Sequence, residues 1–235
     1  MTRPGFSSAG PSVASKRNEQ VMILSTKWSR RSAILSLSAL PLGACVDPLQ
    51  LVSGTPPRLF DLTPKSTFND DLPNVEGRLT IDVPTATAGL NTARIALKPT
   101  PTQFEYFAGA RWVDVVPVMT QTLLLESFDN SERIQILGRG AYGLRADYGL
   151  LVNIREFQAE YESETSVPSV RIRFQTRLVG MPRRNHIAAT SVVGLADAES
   201  RKLNDIITAF DVAFGRAAKD LVDWTIRRAA ENQPS

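Results

Sequence analysis

The sequence predicts a single α/β domain, with a mixed, mainly antiparallel β-sheet and two main helices. Two observations support this fold class. Short segments of alternating apolar residues recur along the chain and are bounded by Pro, Gly and Asn, which is the pattern of strands that bury one face. Two other segments change to a period of three to four residues, and the C-terminal one is long and amphipathic.

The predicted strands share short apolar alternation and turn-forming flanks. They are 58–62, 78–83, 94–97, 103–107, 133–137, 148–161, 170–178 and 186–195. The segment 170–178 alternates most regularly and is expected to pair with 186–195 as a hairpin. In 148–161 the apolar phase slips between Ile154 and Phe157, which predicts a β-bulge. Residues 108–112 are expected to form a loop before the first helix.

The first predicted helix covers 114–127, because Pro117 is tolerated in a first turn and Asp114 is a suitable N-cap. The second covers 197–230, where apolar residues recur at steps of four and three. Asp197 or Ser200 is expected to cap it.

The N-terminal region has the order of a secretion signal. A basic segment ends at Arg31, an apolar segment covers 33–42, and the small residues Gly43 and Ala44 precede Cys45. The tetrapeptide LGAC resembles the bacterial lipobox, in which the cysteine receives a diacylglyceryl group and becomes the new N-terminus. The alternative is a buried helix with an incidental cysteine, but the flanking residues have the polarity of a signal. Cys45 is therefore predicted to be lipidated.

This interpretation divides the chain into four parts. Residues 1–44 are a signal peptide, with Met22 as an alternative start; 45–57 are a lipidated, proline-rich tether; 58–230 are the domain; 231–235 are a tail. Residues 1–44 hold six of the 27 basic and one of the 24 acidic residues, so the mature chain is slightly acidic. That balance gives no global electrostatic argument for nucleic acid as a partner. The residue after Cys45 is Val46 rather than aspartate, which favours the outer membrane, with the domain on its periplasmic side.

No catalytic, metal or cofactor site is predicted. The chain has one histidine, His186, and its one cysteine is assigned to lipidation, so Cys/His chemistry and His/Cys metal sites lack residues. A GxGxxG motif at 138–143 precedes a predicted strand instead of the helix that a dinucleotide requires. On the strand 170–178, Arg171 and Arg173 lie opposite the apolar face. They are expected to be solvated, or alternatively to contact anionic lipid headgroups or an acidic partner.

Several segments in order resemble the ABC-type transport auxiliary lipoprotein family. After the lipobox these are RLFDL, LTIDVP, GLNTARIAL, YFAGARWVD, an amphipathic helix, ADYGLLVNIREFQAEY, the alternating strand and a long C-terminal helix. The resemblance covers most of residues 55–228. It implies a non-catalytic outer-membrane component of an ABC system that moves phospholipids with an MCE-domain protein, a permease and an ATPase. It also implies an α/β domain with a mixed sheet and two main helices.

Within the YFAGARWVD block, Tyr106, Arg111 and Trp112 have two interpretations. Trp112 packs under the first helix while Arg111 pairs with an acid such as Asp114, or the three residues contact the MCE protein or a second subunit as interface aromatic and basic residues often do. Two other functions stay open: a structural or assembly lipoprotein of an outer-membrane complex, and a periplasmic small-ligand binder. A phospholipid ligand and a homo-oligomer are further possibilities.

Overall fold

Nine strands and two helices form among the residues that the computed structural model describes, which are 56–138, 144–163 and 165–233. In chain order they are β1 (Arg58–Phe60), β2 (Arg78–Ile81), β3 (Thr85–Ala86), β4 (Arg94–Lys98), β5 (Glu105–Trp112), α1 (Val116–Ser131), β6 (Gln135–Leu137), β7 (Tyr148–Glu160), β8 (Ser169–Gly180), β9 (Asn185–Asp197) and α2 (Leu203–Glu231).

The sheet is organised around β7. Along one edge, β7 pairs with β8 over nearly its whole length, and β8 pairs in turn with β9, both in antiparallel register. Along the opposite edge, β7 pairs in parallel with β2, β3 and β4 one after another. β6 extends the sheet beyond β2, while β5 and then β1 extend it beyond β4.

The predicted fold class is confirmed, including the mixed sheet and the long C-terminal helix. Parallel pairings outnumber antiparallel ones among the described strands, but each covers only two or three residue pairs. The β7–β8–β9 meander supplies most of the paired length, so the sheet is mainly antiparallel by residue pairs. The bulge predicted between Ile154 and Phe157 is also confirmed, because the β7–β8 register shifts between Ile154 and Glu156.

Four local predictions are corrected. The loop expected at 108–112 is part of β5, since residues 110–112 pair with β1. The two-residue strand β3 was not predicted. Asp114 does not cap α1, because its carboxylate accepts a hydrogen bond from the Val115 N–H at 2.7 Å. Pairing with β8 keeps the chain extended up to Asp197, so α2 begins later than expected, after Lys202 and with no side-chain cap.

An aromatic cluster joins the sheet to α2. The rings of Trp112, on β5, and Phe157, on β7, are 5.9 Å apart, and each also contacts Phe210 on α2, at 5.2 Å and 5.7 Å. Farther along, Phe174 on β8 meets Phe214 at 6.2 Å. All five rings are almost fully buried, so these contacts fix the helix on the sheet.

The backbones of α2 and the sheet approach each other closely at Gly194 on β9. A Cβ atom placed on Gly194 would lie 1.8 Å from the carbonyl oxygen of Ala213 and 3.0 Å from the backbone nitrogen of Ala217. Glycine and alanine at this crossing therefore let the two backbones meet, and a larger residue at Gly194 has no space.

A long segment between β1 and β2, residues 61–77, lies against the polar side of α2, and we call it the strap. The strap's Thr63 donates to Asp211 through both its N–H and its hydroxyl, at 2.7 and 2.8 Å. Farther along α2, Asp223 accepts from the strap's Asn69 at 2.6 Å, and Asp71 pairs with Arg227 at 2.8 Å. The Arg227 guanidinium holds the pKa of the Asp71 carboxyl below its usual value.

The described residues form one compact unit. The predicted signal peptide and most of the tether, including Cys45, lie outside the described residues. None of the described helices combines the length and apolar character needed to span a bilayer.

Candidate functional site

One face of β7, β8 and β9 is turned away from α2, and we call it the open face. Its strand positions alternate with the buried positions that contact the helix. It is formed by Leu151, Asn153, Glu156, Gln158 and Glu160 of β7, by Arg171, Arg173, Gln175 and Arg177 of β8, and by Ser191, Val193 and Leu195 of β9. Val193 and Leu195 are exposed, so the open face combines charged, amide and apolar side chains.

The two arginines singled out from the sequence are both paired with carboxylates. Arg171 Nε lies 3.0 Å from Glu160 Oε2, and Arg173 Nε lies 2.9 Å from Glu156 Oε2. Glu160 also accepts from the amide of Gln158 at 2.9 Å. These contacts neutralise much of the charge at this end of the open face and favour the solvated-face interpretation of Arg171 and Arg173.

The open face also holds two arginines of a different kind. Arg155 and Arg177 are exposed and have no carboxylate within ion-pair distance among the described residues. Arg155 donates from Nε and Nη2 to the side-chain oxygen of Gln175, at 3.0 and 2.9 Å. That amide is a neutral acceptor, so the positive charge of Arg155 stays uncompensated.

The β-bulge explains where Arg155 points. Ile154 pairs with Phe174 and Glu156 with Arg173, so Arg155 is the extra residue in β7 and its side chain is re-aimed. The neighbouring backbone is still satisfied, because the Phe157 N–H donates to the side-chain oxygen of Gln158 at 2.8 Å. A groove of about 380 Å³ adjoins the bulge.

Tyr106 lies half-buried on β5 with three defined contacts. The Arg94 guanidinium stands over its ring at 3.6 Å, Phe104 meets it edge-on at 5.5 Å, and its hydroxyl donates to the Gly89 carbonyl at 3.0 Å. Arg111, opposite Arg94 across the β4–β5 pair, is exposed and has no ion pair among the described residues. The carboxylate of Asp114, the partner suggested by sequence, instead accepts a hydrogen bond from the Val115 N–H.

Trp112 lies in the core rather than on a contact surface. Only 1% of the residue is exposed, and its ring meets Phe157 on β7 and Phe210 on α2. Its indole N–H has no hydrogen-bond partner in the described structure. A direct partner contact by Trp112 does not fit this burial, which leaves Tyr106 and Arg111 as the accessible members of the trio.

The remaining candidates from the sequence are Cys45, the GxGxxG motif and His186. Cys45 falls outside the described residues, as do residues 139–143 of the GxGxxG motif. His186 is exposed at the start of β9. Within the described ranges, no group of three or more His, Cys, Asp or Glu residues is arranged to hold a metal ion.

Comparison with known proteins places the fold among solved structures. A Xanthomonas campestris protein described as DUF330 has a crystal structure with a TM-score of 0.69 and 23% sequence identity, over 74% of this chain and 97% of that protein. A second crystal structure, of an uncharacterized protein, has a TM-score of 0.56 and 9% identity, over 72% and 97%. At these identities the two structures support the fold alone.

Among curated proteins, an uncharacterized protein of Bradyrhizobium diazoefficiens is 31% identical over 172 residues, which are 71% of this chain and 44% of that protein. The chain therefore spans less than half the length of this curated relative. No family model matches the sequence.

Sequence analysis missed Arg155 and Arg177 as candidate site residues. For Arg155 a signal was present, because the slip of apolar phase in β7 predicts the bulge in which it lies. Which arginines of the open face are paired with carboxylates depends on cross-strand register, and one sequence does not supply that register.

Proposed function

We propose that this chain is a triacylated outer-membrane lipoprotein on the periplasmic side, and a non-catalytic auxiliary component of an ABC-type phospholipid transport system. Its partners in that system are an MCE-domain protein, a permease and an ATPase. The observation that carries the proposal is the ordered resemblance to the auxiliary lipoprotein family. Its blocks fall on successive elements of the described fold: LTIDVP begins inside β2, YFAGARWVD includes most of β5, and ADYGLLVNIREFQAEY includes β7.

The anchor assigned to Cys45 is energetically sufficient. Burying an acyl chain in a bilayer contributes about 0.8 kcal/mol per CH₂, and one chain alone gives only reversible binding. A lipobox cysteine carries more than one chain, so membrane residence is stable without a spanning helix.

Lipidation is tested by labelling cells with radioactive palmitate and separating the two membranes. The wild-type chain is expected to carry label and to fractionate with the outer membrane, while Cys45→Ser carries no label and is released to the soluble fraction. Ser53→Ala, in the same tether, is the matched control and keeps both properties. An unlabelled wild-type chain, or a Cys45→Ser variant that stays in the outer membrane, would contradict the anchor.

The partner is tested by co-purification with the MCE-domain protein from envelope extracts. On the partner-contact interpretation of the YFAGARWVD block, Arg111→Glu reduces recovery of the MCE protein. Arg183→Glu is the control, because Arg183 is also exposed but lies in the β8–β9 turn. Recovery that is equal for both variants would remove Arg111 from the interface. Absence of the MCE protein from the wild-type sample would favour the structural or assembly role.

A further inference from the structure

We propose that the groove beside the β7 bulge binds the phosphate ester of a phospholipid headgroup. The groove lies on the open face, where β7 and β8 meet the chain between β2 and β3. The anion site rests on the residues that line the groove, whereas the choice of a phospholipid as the source of the phosphate ester rests on the proposed function.

The groove has an excess of positive charge. Arg155 and Arg177 both line it and lack carboxylate partners in the described part of the chain. Asp82 is the acid among the lining residues, and its Oδ2 is engaged by Arg184 Nη2 at 3.2 Å. An anion entering the groove therefore meets two arginines with uncompensated charge and one carboxylate that already has its own cation.

Arg155 is pre-organised for such an anion. Gln175 accepts from two of its nitrogens, Nε and Nη2, which orients the planar guanidinium and leaves the N–H groups of Nη1 for a ligand. Arg177 follows Gln175 by two positions on the same face, a separation of roughly 7 Å along the strand. Arg155 and Arg177 both line the groove, and two guanidinium groups that reach one phosphate can bind different oxygens of it by charge-assisted hydrogen bonds.

The rest of the groove favours an amphiphile over a free ion. Val83 is 52% exposed, and Leu151, directly across from Arg177 in the β7–β8 pair, is half-buried. Inorganic phosphate would bury none of the apolar surface of Val83 and Leu151, whereas the glycerol and first methylenes of a lipid would cover it. At about 380 Å³ the groove is near the lower end of the roughly 300–1,000 Å³ of ligand pockets, which suits a headgroup with its acyl chains outside.

The test is isothermal titration calorimetry of the full chain in nonionic detergent. The probes are a short-chain phosphatidylglycerol, the soluble headgroup glycerophosphoglycerol, and inorganic phosphate. The variant Arg155→Gln/Arg177→Gln is expected to weaken binding of the short-chain lipid by roughly tenfold per arginine. Arg171→Gln/Arg173→Gln, on the same face but ion-paired in the wild type, is the matched control and changes the affinity by less than about threefold.

Three outcomes decide the proposal. Absence of binding by every probe, or equal weakening by the two arginine pairs, would overturn the site. Equal affinity for lipid and soluble headgroup, with no effect of Val83→Ser, would overturn the lipid assignment. Selective loss in Arg155→Gln/Arg177→Gln, with weaker binding of the soluble probes, supports both parts. The palmitate and co-purification tests do not depend on these arginines, so failure of this site is distinguishable from failure of the proposed function.

Discussion

The close crossing of α2 over β9 predicts that alanine at Gly194 strongly destabilises the domain. In Gly194→Ala, the new Cβ would lie 1.8 Å from the Ala213 carbonyl oxygen, so the helix and strand must separate by roughly 1.5 Å to restore van der Waals contact. Both obstructing groups, Ala213 and Ala217, contribute backbone atoms and have no rotamer that removes the clash. The added methyl group is therefore expected to be strongly destabilising.

The magnitude follows from what the separation disrupts. Overpacking a core costs about 1–3 kcal/mol, and this site lies at the upper end because the clash is with backbone. Phe210 and Phe214, which hold α2 on the sheet, are on neighbouring turns of the helix and lose part of their contact. For a domain of this size, about 3 kcal/mol corresponds to a fall in Tm of roughly 6–12 °C.

Gly215→Ala is the matched control and should have the opposite sign. Gly215 lies inside α2, and a Cβ there meets only Lys65 Cδ at 3.9 Å, an ordinary contact. Replacing a helical glycine by alanine stabilises a helix by about 0.5–1 kcal/mol, so Tm should rise by roughly 1–4 °C. The assay is thermal and urea unfolding followed by circular dichroism. A Gly194→Ala variant as stable as the wild type would refute the close approach of α2 and β9.

Three further predictions concern the core, the pH dependence and the strap. Trp112→Ala should lower the free energy of unfolding in urea by about 3–5 kcal/mol. Trp112→Phe should lower it by less than half of that, because phenylalanine keeps most of the buried ring and removes the unpartnered indole N–H. An alanine variant of unchanged stability would contradict the burial of Trp112. Burial raises the pKa values of Tyr148 and Tyr161, so the unfolded state loses these protons first. The contribution of the two protonated tyrosines to the unfolding free energy is complete below about pH 10. It is lost as pH rises through their folded-state pKa values. The double Tyr→Phe variant should therefore show a smaller fall in unfolding free energy between neutral and strongly alkaline pH, whereas a slope identical to wild type would exclude these tyrosines as its cause. Asp211→Ala should remove hydrogen-exchange protection from the Thr63 amide and cost about 1 kcal/mol, and retention of that protection would show that the strap does not depend on Asp211.

Element type and buried face were predicted most accurately where one periodicity dominates a segment. The strand 170–178 and the C-terminal helix each alternate or repeat regularly, so their type and buried face follow from pattern alone. The short edge elements were predicted less well, because their limits depend on partners far away in sequence. β5 continues through residues 108–112 since β1 is present to pair with it. The two residues of β3 are extended because they lie beside Asn153 and Ile154 of β7.

The open face shows why residue type alone did not identify the candidate anion site. By sequence, Arg171 and Arg173 stand out because they alternate with apolar residues. The β7–β8 register also places Arg173 opposite Glu156 and brings Arg171 within reach of Glu160. Arg155 breaks the alternation. The neighbouring strand β8 carries no Asp or Glu, and Arg155 donates instead to the side-chain oxygen of Gln175. In this sheet, Arg155 and Arg177 therefore keep their charges available to a ligand, while Arg171 and Arg173 are paired with glutamates.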